Sequence, residues 1–137
     1  MAKVQKTVLI VQDDVALLRA LKERCEMEDF GMLTAQDGEE GLKIALEHHP
    51  DIILVDIVMP KMDGLQMIEE LRKDAWGKEA NVIILTNSTE NRYVANAVKH
   101  GVHDYIILTQ WDPNDVIERV RLRLGLPPKT YQEAAMA

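Results

Sequence analysis

The sequence predicts an α/β domain of the (βα)5 type, with five parallel strands in one sheet and helices on both faces. Three observations carry that expectation. Short apolar runs rich in Val and Ile recur along the chain, segments of helical period separate them, and Gly-, Pro- and Asp-containing turns sit at the joins. Regular alternation of buried strands with helices of about 10–15 residues builds βαβ units, and these place a parallel sheet between two helical layers.

The elements follow in order. Thr7–Val11 is the first strand and Val15–Asp29 the first helix; Gly31–Ala35, after Phe30, is a weaker second strand, and Glu39–His48 the second helix. Asp51–Val55, Asn81–Thr86 and Tyr105–Leu108 are the third to fifth strands, with helices at Gly64–Asp74, Glu90–His100 and Asn114–Leu124. All strand runs but the second are rich in Val, Ile and Leu and too short for helices, so they read as strands buried on both faces. Asp37-Gly38, His49-Pro50, Asp63-Gly64, Gly101 and Asp112-Pro113 fall between these segments, where turns and caps belong. In the first helix Leu17, Ala20, Leu21 and Cys25 make an apolar stripe, leaving Val15 and Leu18 on the other side as a docking patch or as stray surface residues. In the last helix Val116, Ile117, Val120 and Leu124 form the core stripe and Leu122 falls off it.

The chain has 137 residues, enough for one domain that buries roughly two-thirds of its unfolded surface without staples. Residues 7–124 read as that domain, 1–6 as an N-terminal extension, and 125–137, after Leu126-Pro127-Pro128, as a tail or linker. Net charge is −7, with 16 Lys+Arg against 23 Asp+Glu, which argues against direct nucleic-acid binding. A single cysteine, Cys25, excludes an internal disulfide and fits a reducing compartment. Neither a membrane-length apolar run nor a signal peptide is apparent in the sequence, so the cytoplasm is the expected location.

In open parallel sheets, ligands bind outside the carboxyl ends of the strands. Those positions are polar here: Gln12-Asp13-Asp14 after the first strand, Asp56 after the third, Thr86-Asn87-Ser88 at the fourth, Thr109 after the fifth. Carboxylates from two strands converging at one edge suit a hard cation such as Mg²⁺. Capping of the following helix by Asp13 or Asp14 is the competing reading, strong for Asp14 and evenly balanced for Asp13 alone; Asp56 weakens it, because it follows a buried strand end and no helix starts there. A phosphate cradled on this first turn is disfavoured, because acids stand where a glycine-rich loop would be needed.

These residues resemble a receiver domain of bacterial two-component response regulators, over about residues 6–124. The matching pieces are Gln12-Asp13-Asp14, the stretch Asp51 to Gly64 with Asp56, Met59-Pro60 and Asp63-Gly64, Thr86, and Gly101-Val-His-Asp104-Tyr105. The resemblance implies a flavodoxin-like doubly wound fold. It also implies that Asp56 accepts a phosphoryl group from a histidine kinase or phosphotransfer protein. By the same resemblance Asp13, Asp56 and the Val58 carbonyl hold Mg²⁺, Thr86 hydrogen-bonds the phosphoryl group, and Tyr105 is a switch aromatic. A homodimer through the fourth helix, fifth strand and fifth helix is a further implied arrangement.

Three positions depart from the family pattern. Gln12 stands for an acid, Asn87 for a small residue and Leu108 for a lysine, and no Lys or Arg lies between Lys99 and Arg119 to replace it. Gln12 is expected to weaken the metal site. Leu108, expected to line it, offers neither cation nor donor to a phosphoryl oxygen. The alternative to an impaired phosphoacceptor is therefore a phosphorylation-independent pseudo-receiver acting as an interaction module. An aspartyl-phosphate hydrolase is a remote third reading, since Val58 stands where its second acid would be. His48, His49, His100 and His103 lack ligand spacing, and Trp76 and Trp111 are expected to cover helix ends.

Overall fold

Five strands form one parallel sheet in the order β2-β1-β3-β4-β5. The computed structural model describes residues 5–87 and 91–127. The strands are β1 (Thr7–Val11), β2 (Gly31–Ala35), β3 (Ile52–Val55), β4 (Val82–Thr86) and β5 (Asp104–Ile107); the helices are α1 (Val15–Glu26), α2 (Gly38–His48), α3 (Gly64–Leu71), α4 (Asn91–Lys99) and α5 (Pro113–Arg123). The flavodoxin-like expectation is met, and each of the five strand–helix units is present. Every residue of the central strands β3 and β4 is buried, whereas the edge strands β2 and β5 are partly open. That contrast is the reason the second strand is the weakest in the sequence.

Strand periodicity divides the core into two layers. Leu9, Val11, Ile53, Val55 and Ile84 face α2, α3 and α4, together with Met67, Ile68, Leu71 and Ala97. Val8, Ile10, Ile52, Leu54, Ile83 and Leu85 face α1 and α5, with Leu18, Leu21, Cys25, Val116, Ile117 and Val120. Burial of Cys25 pushes its thiol up to about 12, which suits a packing role. The α5 stripe is as expected, with Leu122 exposed.

Several boundaries need correction. The α1 stripe is Leu18, Leu21 and Cys25, spaced by three and four; Ala20 is exposed and Leu17 only half-buried, so Leu18 does not belong to a surface patch. Helix α1 ends at Glu26, before Asp29 takes a left-handed φ of 62°, and α3 ends at Leu71 because Asp74 instead accepts the N–H groups of Trp76 and Gly77 in a turn. The fifth strand begins one residue early, at Asp104, and Leu108 already lies in the following 3-10 turn. Ser88 and Glu90 lie outside the described residues.

Long-range polar contacts fix the layers. Asp104 is paired with Arg119 at 2.5 Å and Arg123 at 3.1 Å, tying α5 to the start of β5. Glu28, fully buried at its side chain, meets Arg24 at 3.1 Å and Arg121 at 3.2 Å. Arg72 donates to the carbonyls of His100 (2.9 Å), Gly77 (2.7 Å) and Ala80 (2.8 Å), joining the ends of α3 and α4. Trp76 stacks on His49 at 4.3 Å, and the Arg119 guanidinium lies 5.2 Å from the Trp111 ring centre.

Candidate functional site

Parallel strands bring their carboxyl ends to one edge, and the reversal of strand order between β1 and β3 opens a crevice there. Asp56 leaves β3 in register with the end of β1, its N–H bonded to the Val11 carbonyl at 3.0 Å. The chain then folds back on itself. The Gly64 N–H reaches the Ile57 carbonyl at 2.8 Å, and a Cβ on Gly64 would collide with the Asp56 carbonyl oxygen, so only glycine permits the closure. Asp63 caps α3 in a reciprocal box with Gln66. The Gly38 N–H meets the Met62 carbonyl at 3.0 Å, so α2 braces the same loop. The Asp63-Gly64 pair of the sequence is thus the hinge that sets the phosphoacceptor candidate in place.

The Asp56 carboxylate is held by neutral donors. The Ile57 N–H donates to Oδ1 at 2.7 Å, and the Thr86 hydroxyl and the Gln12 side-chain amide also hydrogen-bond the carboxylate. Burial raises its pKa above the ordinary 3.8; the three donors pull it down in part, and the charge of Asp13 raises it further. Gln12 and Thr86 are each 2% exposed. The Gln12 side-chain oxygen accepts the Asp14 N–H at 3.0 Å, while Asp14 itself caps α1 by accepting the Leu17 N–H at 3.2 Å. Capping is therefore the role of Asp14, and Asp13 is left exposed beside Asp56.

Of the expected site residues, the structure groups Asp13, Asp56 and Thr86, and adds Gln12 and the Ile57 N–H, which the sequence had not marked as donors. Val58 is 62% exposed on the loop after β3. Tyr105 is half-buried against the α2/α3/α4 layer. Leu108 does not line the site as expected: it packs into the opposite layer, with α1, α5 and Trp111. Its apolar side chain gains more from that layer than from a polar crevice.

Two carboxylates with no ion-pair partner among the described residues fit a hard cation. Among those residues no cluster of three or more His, Cys, Asp or Glu could hold a metal, so a cation at this edge would have two carboxylates at most from such side chains.

The response regulator receiver domain family matches residues 8–121. Among curated relatives, the probable transcriptional regulator ycf27 of Cyanophora paradoxa is 32% identical over 117 residues, 85% of this chain and 47% of that protein. The transcriptional regulatory protein SrrA of Staphylococcus aureus is 33% identical over 126 residues, 92% of this chain and 51% of that protein. The chain thus spans about half the length of the curated relatives it matches. A CheY-like receiver domain protein from Methanospirillum hungatei superposes with a TM-score of 0.83 at 26% identity, covering 89% of this chain and 95% of that one. A chain of the CheX-CheY-BeF3-Mg²⁺ complex from Borrelia burgdorferi does so with a TM-score of 0.77 at 31% identity, covering 85% and 87%. Fold, site edge and sequence agree, and the chain belongs to the response regulator receiver domain family.

Proposed function

We propose that this receiver accepts a phosphoryl group on Asp56 from a histidine kinase or phosphotransfer protein. The observation that carries the reading is the company of Asp56: a carboxylate set in the crevice, bonded only by neutral donors and facing the like charge of Asp13. Such a group gains most from a cation, and with no ion-pair partner its oxygen is available to attack phosphorus. Asp13, Asp56 and the Val58 carbonyl would hold Mg²⁺, which when bound neutralises charge on the transferring oxygens. Asp56 supplies the attacking oxygen, the Ile57 N–H fixes its rotamer, and the Thr86 hydroxyl is within reach of the group it acquires. Exposed Val15 and Val58 flank the acidic edge and would meet the incoming phosphodonor protein. The CheX-CheY-BeF3-Mg²⁺ relative supports the metal and a protein partner.

Incubation with acetyl phosphate and Mg²⁺, followed by mass spectrometry, should place an adduct of one phosphoryl group on Asp56. An adduct that survives Asp56→Asn would overturn the assignment.

A second reading is favoured by Leu108, which packs away from the site and offers no cation just after β5 to pair with a phosphoryl oxygen. On that reading the domain is a pseudo-receiver that binds partners, a second copy through α4, β5 and α5 among them, without phosphorylation. Tyr105, as the switch residue, separates the two. Its environment should change on beryllofluoride addition only if the site drives β5.

A further inference from the structure

We propose that Gly38 is a positioning residue for the Asp56 site: it lets the first turn of α2 close onto the loop from which the Val58 carbonyl would reach Mg²⁺. The inference rests on the assignment of Asp56 as the metal and phosphoryl site.

The loop between β3 and α3 is fixed from two sides. At its base the Gly64 N–H closes on the Ile57 carbonyl, a contact within the loop itself. Its far limb is held by another element. The Gly38 N–H, at the start of α2, donates to the Met62 carbonyl at 3.0 Å, and the Asp37 carboxylate lies 3.7 Å from the Lys61 ammonium. Asp37 is itself anchored, 8% exposed and accepting the Glu40 N–H at 2.8 Å, so α2 presents a capped first turn to the loop. Beside these contacts Lys61 takes a left-handed φ of 65°, which a residue with a side chain keeps only when its surroundings hold it there.

No side chain fits between the two elements. A Cβ on Gly38 would collide with the Met62 carbonyl oxygen and press on the Asp63 carbonyl oxygen at 3.1 Å, both of them backbone atoms that no change of rotamer moves aside. The loop would have to withdraw by on the order of 1 Å before carbon and oxygen regained ordinary contact. Octahedral Mg²⁺ sites tolerate little of that, and groups that only orient a metal's ligands change its affinity by about tenfold or more. Gly38 is placed to touch neither metal nor phosphoryl group, yet the site would feel its replacement.

Gly77 supplies a matched comparison. A Cβ there would collide with the Leu71 carbonyl oxygen in the same way, but Gly77 precedes β4, at the amino ends of the strands and away from Asp56. Lost packing should follow from either substitution, and a displaced site loop from Gly38→Ala alone.

The test is titration of the parent protein, Gly38→Ala and Gly77→Ala with MgCl₂, followed by amide nitrogen–proton NMR spectra, with the melting temperature of each recorded. Both variants should melt below the parent. Before metal is added, the amide resonances of residues 57–64 should move in Gly38→Ala and keep their positions in Gly77→Ala. The Mg²⁺ dissociation constant should rise about tenfold in Gly38→Ala and stay at the parent value in Gly77→Ala. If Gly38→Ala does not fold, Asp37→Ala carries the test: it removes the cap and the Lys61 pair without adding an atom, and it should raise the constant in the same direction, an unchanged value refuting the role. Parent-like Mg²⁺ affinity in Gly38→Ala, or an equal loss in both glycine variants, would overturn the positioning role and leave Asp56 as the metal site. If the parent protein itself does not respond to Mg²⁺, the metal assignment falls and the inference falls with it.

Discussion

Two carboxylates stand at opposite edges of the sheet, one before β5 has run and one after β3, and keep opposite company. Asp104, at the start of β5, is 8% exposed and clasped by Arg119 and Arg123. Asp56, at the carboxyl end of β3, has three neutral donors and a like charge nearby. A carboxylate matched by two guanidinium groups is satisfied within the fold and serves stability. One matched by neutral donors alone keeps an appetite for positive charge, and that makes it a candidate site.

The largest effect should come from breaking the satisfied partner. Asp104→Ala leaves two arginines with no acid and should lower unfolding free energy by about 2–3 kcal/mol in urea titration, discounted from a fully buried pair because both arginines reach solvent. A loss under about 0.5 kcal/mol would erase the contrast. Next, 10 mM MgCl₂ should raise the melting temperature of the parent protein, by an amount equivalent to about 1.4 kcal/mol if this is tenfold above the dissociation constant. Asp13→Asn should abolish most of the rise, and Asp104→Asn should leave it intact.

Third, Asp56→Asn should stabilise the metal-free protein by up to about 1 kcal/mol at neutral pH, as judged by the melting midpoint. The sign follows from linkage: a carboxyl whose pKa is raised on folding costs stability above its folded pKa, and the cost fades as pH falls through that value toward 3.8. Acidification from neutrality should therefore narrow the gap between the parent and Asp56→Asn. Smallest is Leu108→Lys, which removes a half-buried apolar contact but keeps an aliphatic stem, for a loss of about 0.5–1 kcal/mol. Larger Tyr105 shifts on beryllofluoride addition in this variant than in the parent would show that a cation at position 108 can still turn toward Asp56. Equal, large shifts in both would retire the pseudo-receiver reading.

Strands were legible in the sequence where burial is complete on both faces, as at Ile52–Val55 and Val82–Thr86, because such runs admit no competing period. Asp104 falls outside the expected Tyr105–Leu108 strand, since its partners lie 15 and 19 residues on, in α5, beyond any local pattern. The α1 stripe was misread for a related reason: Leu17, Leu18 and Leu21 offer two phases, and the choice is made by the sheet beneath them. Asp13, Asp56 and Thr86 were found because strand ends mark the crevice. The donor role of Gln12 was not, since the direction of its amide depends on the Asp14 N–H that holds the oxygen. Leu108 was legible as a missing cation but not in direction, which the 3-10 turn decides.

The guanidinium of Arg72 bears on how a signal could travel. By gripping the His100 carbonyl just beyond α4, along with Gly77 and Ala80, it pins that helix at one end, and the fully buried Ala97 lies in the same final turns. Any tilt of α4 is then the swing of a lever about a fulcrum. Nine residues give an arm of about 13 Å, so a rotation of roughly 10° carries the free end about 2 Å. That free end is the one that follows Thr86 in the chain. A sub-ångström event beside Asp56 would thus be enlarged along the helix face bearing Val94 and Val98, both exposed, while the fulcrum stays still.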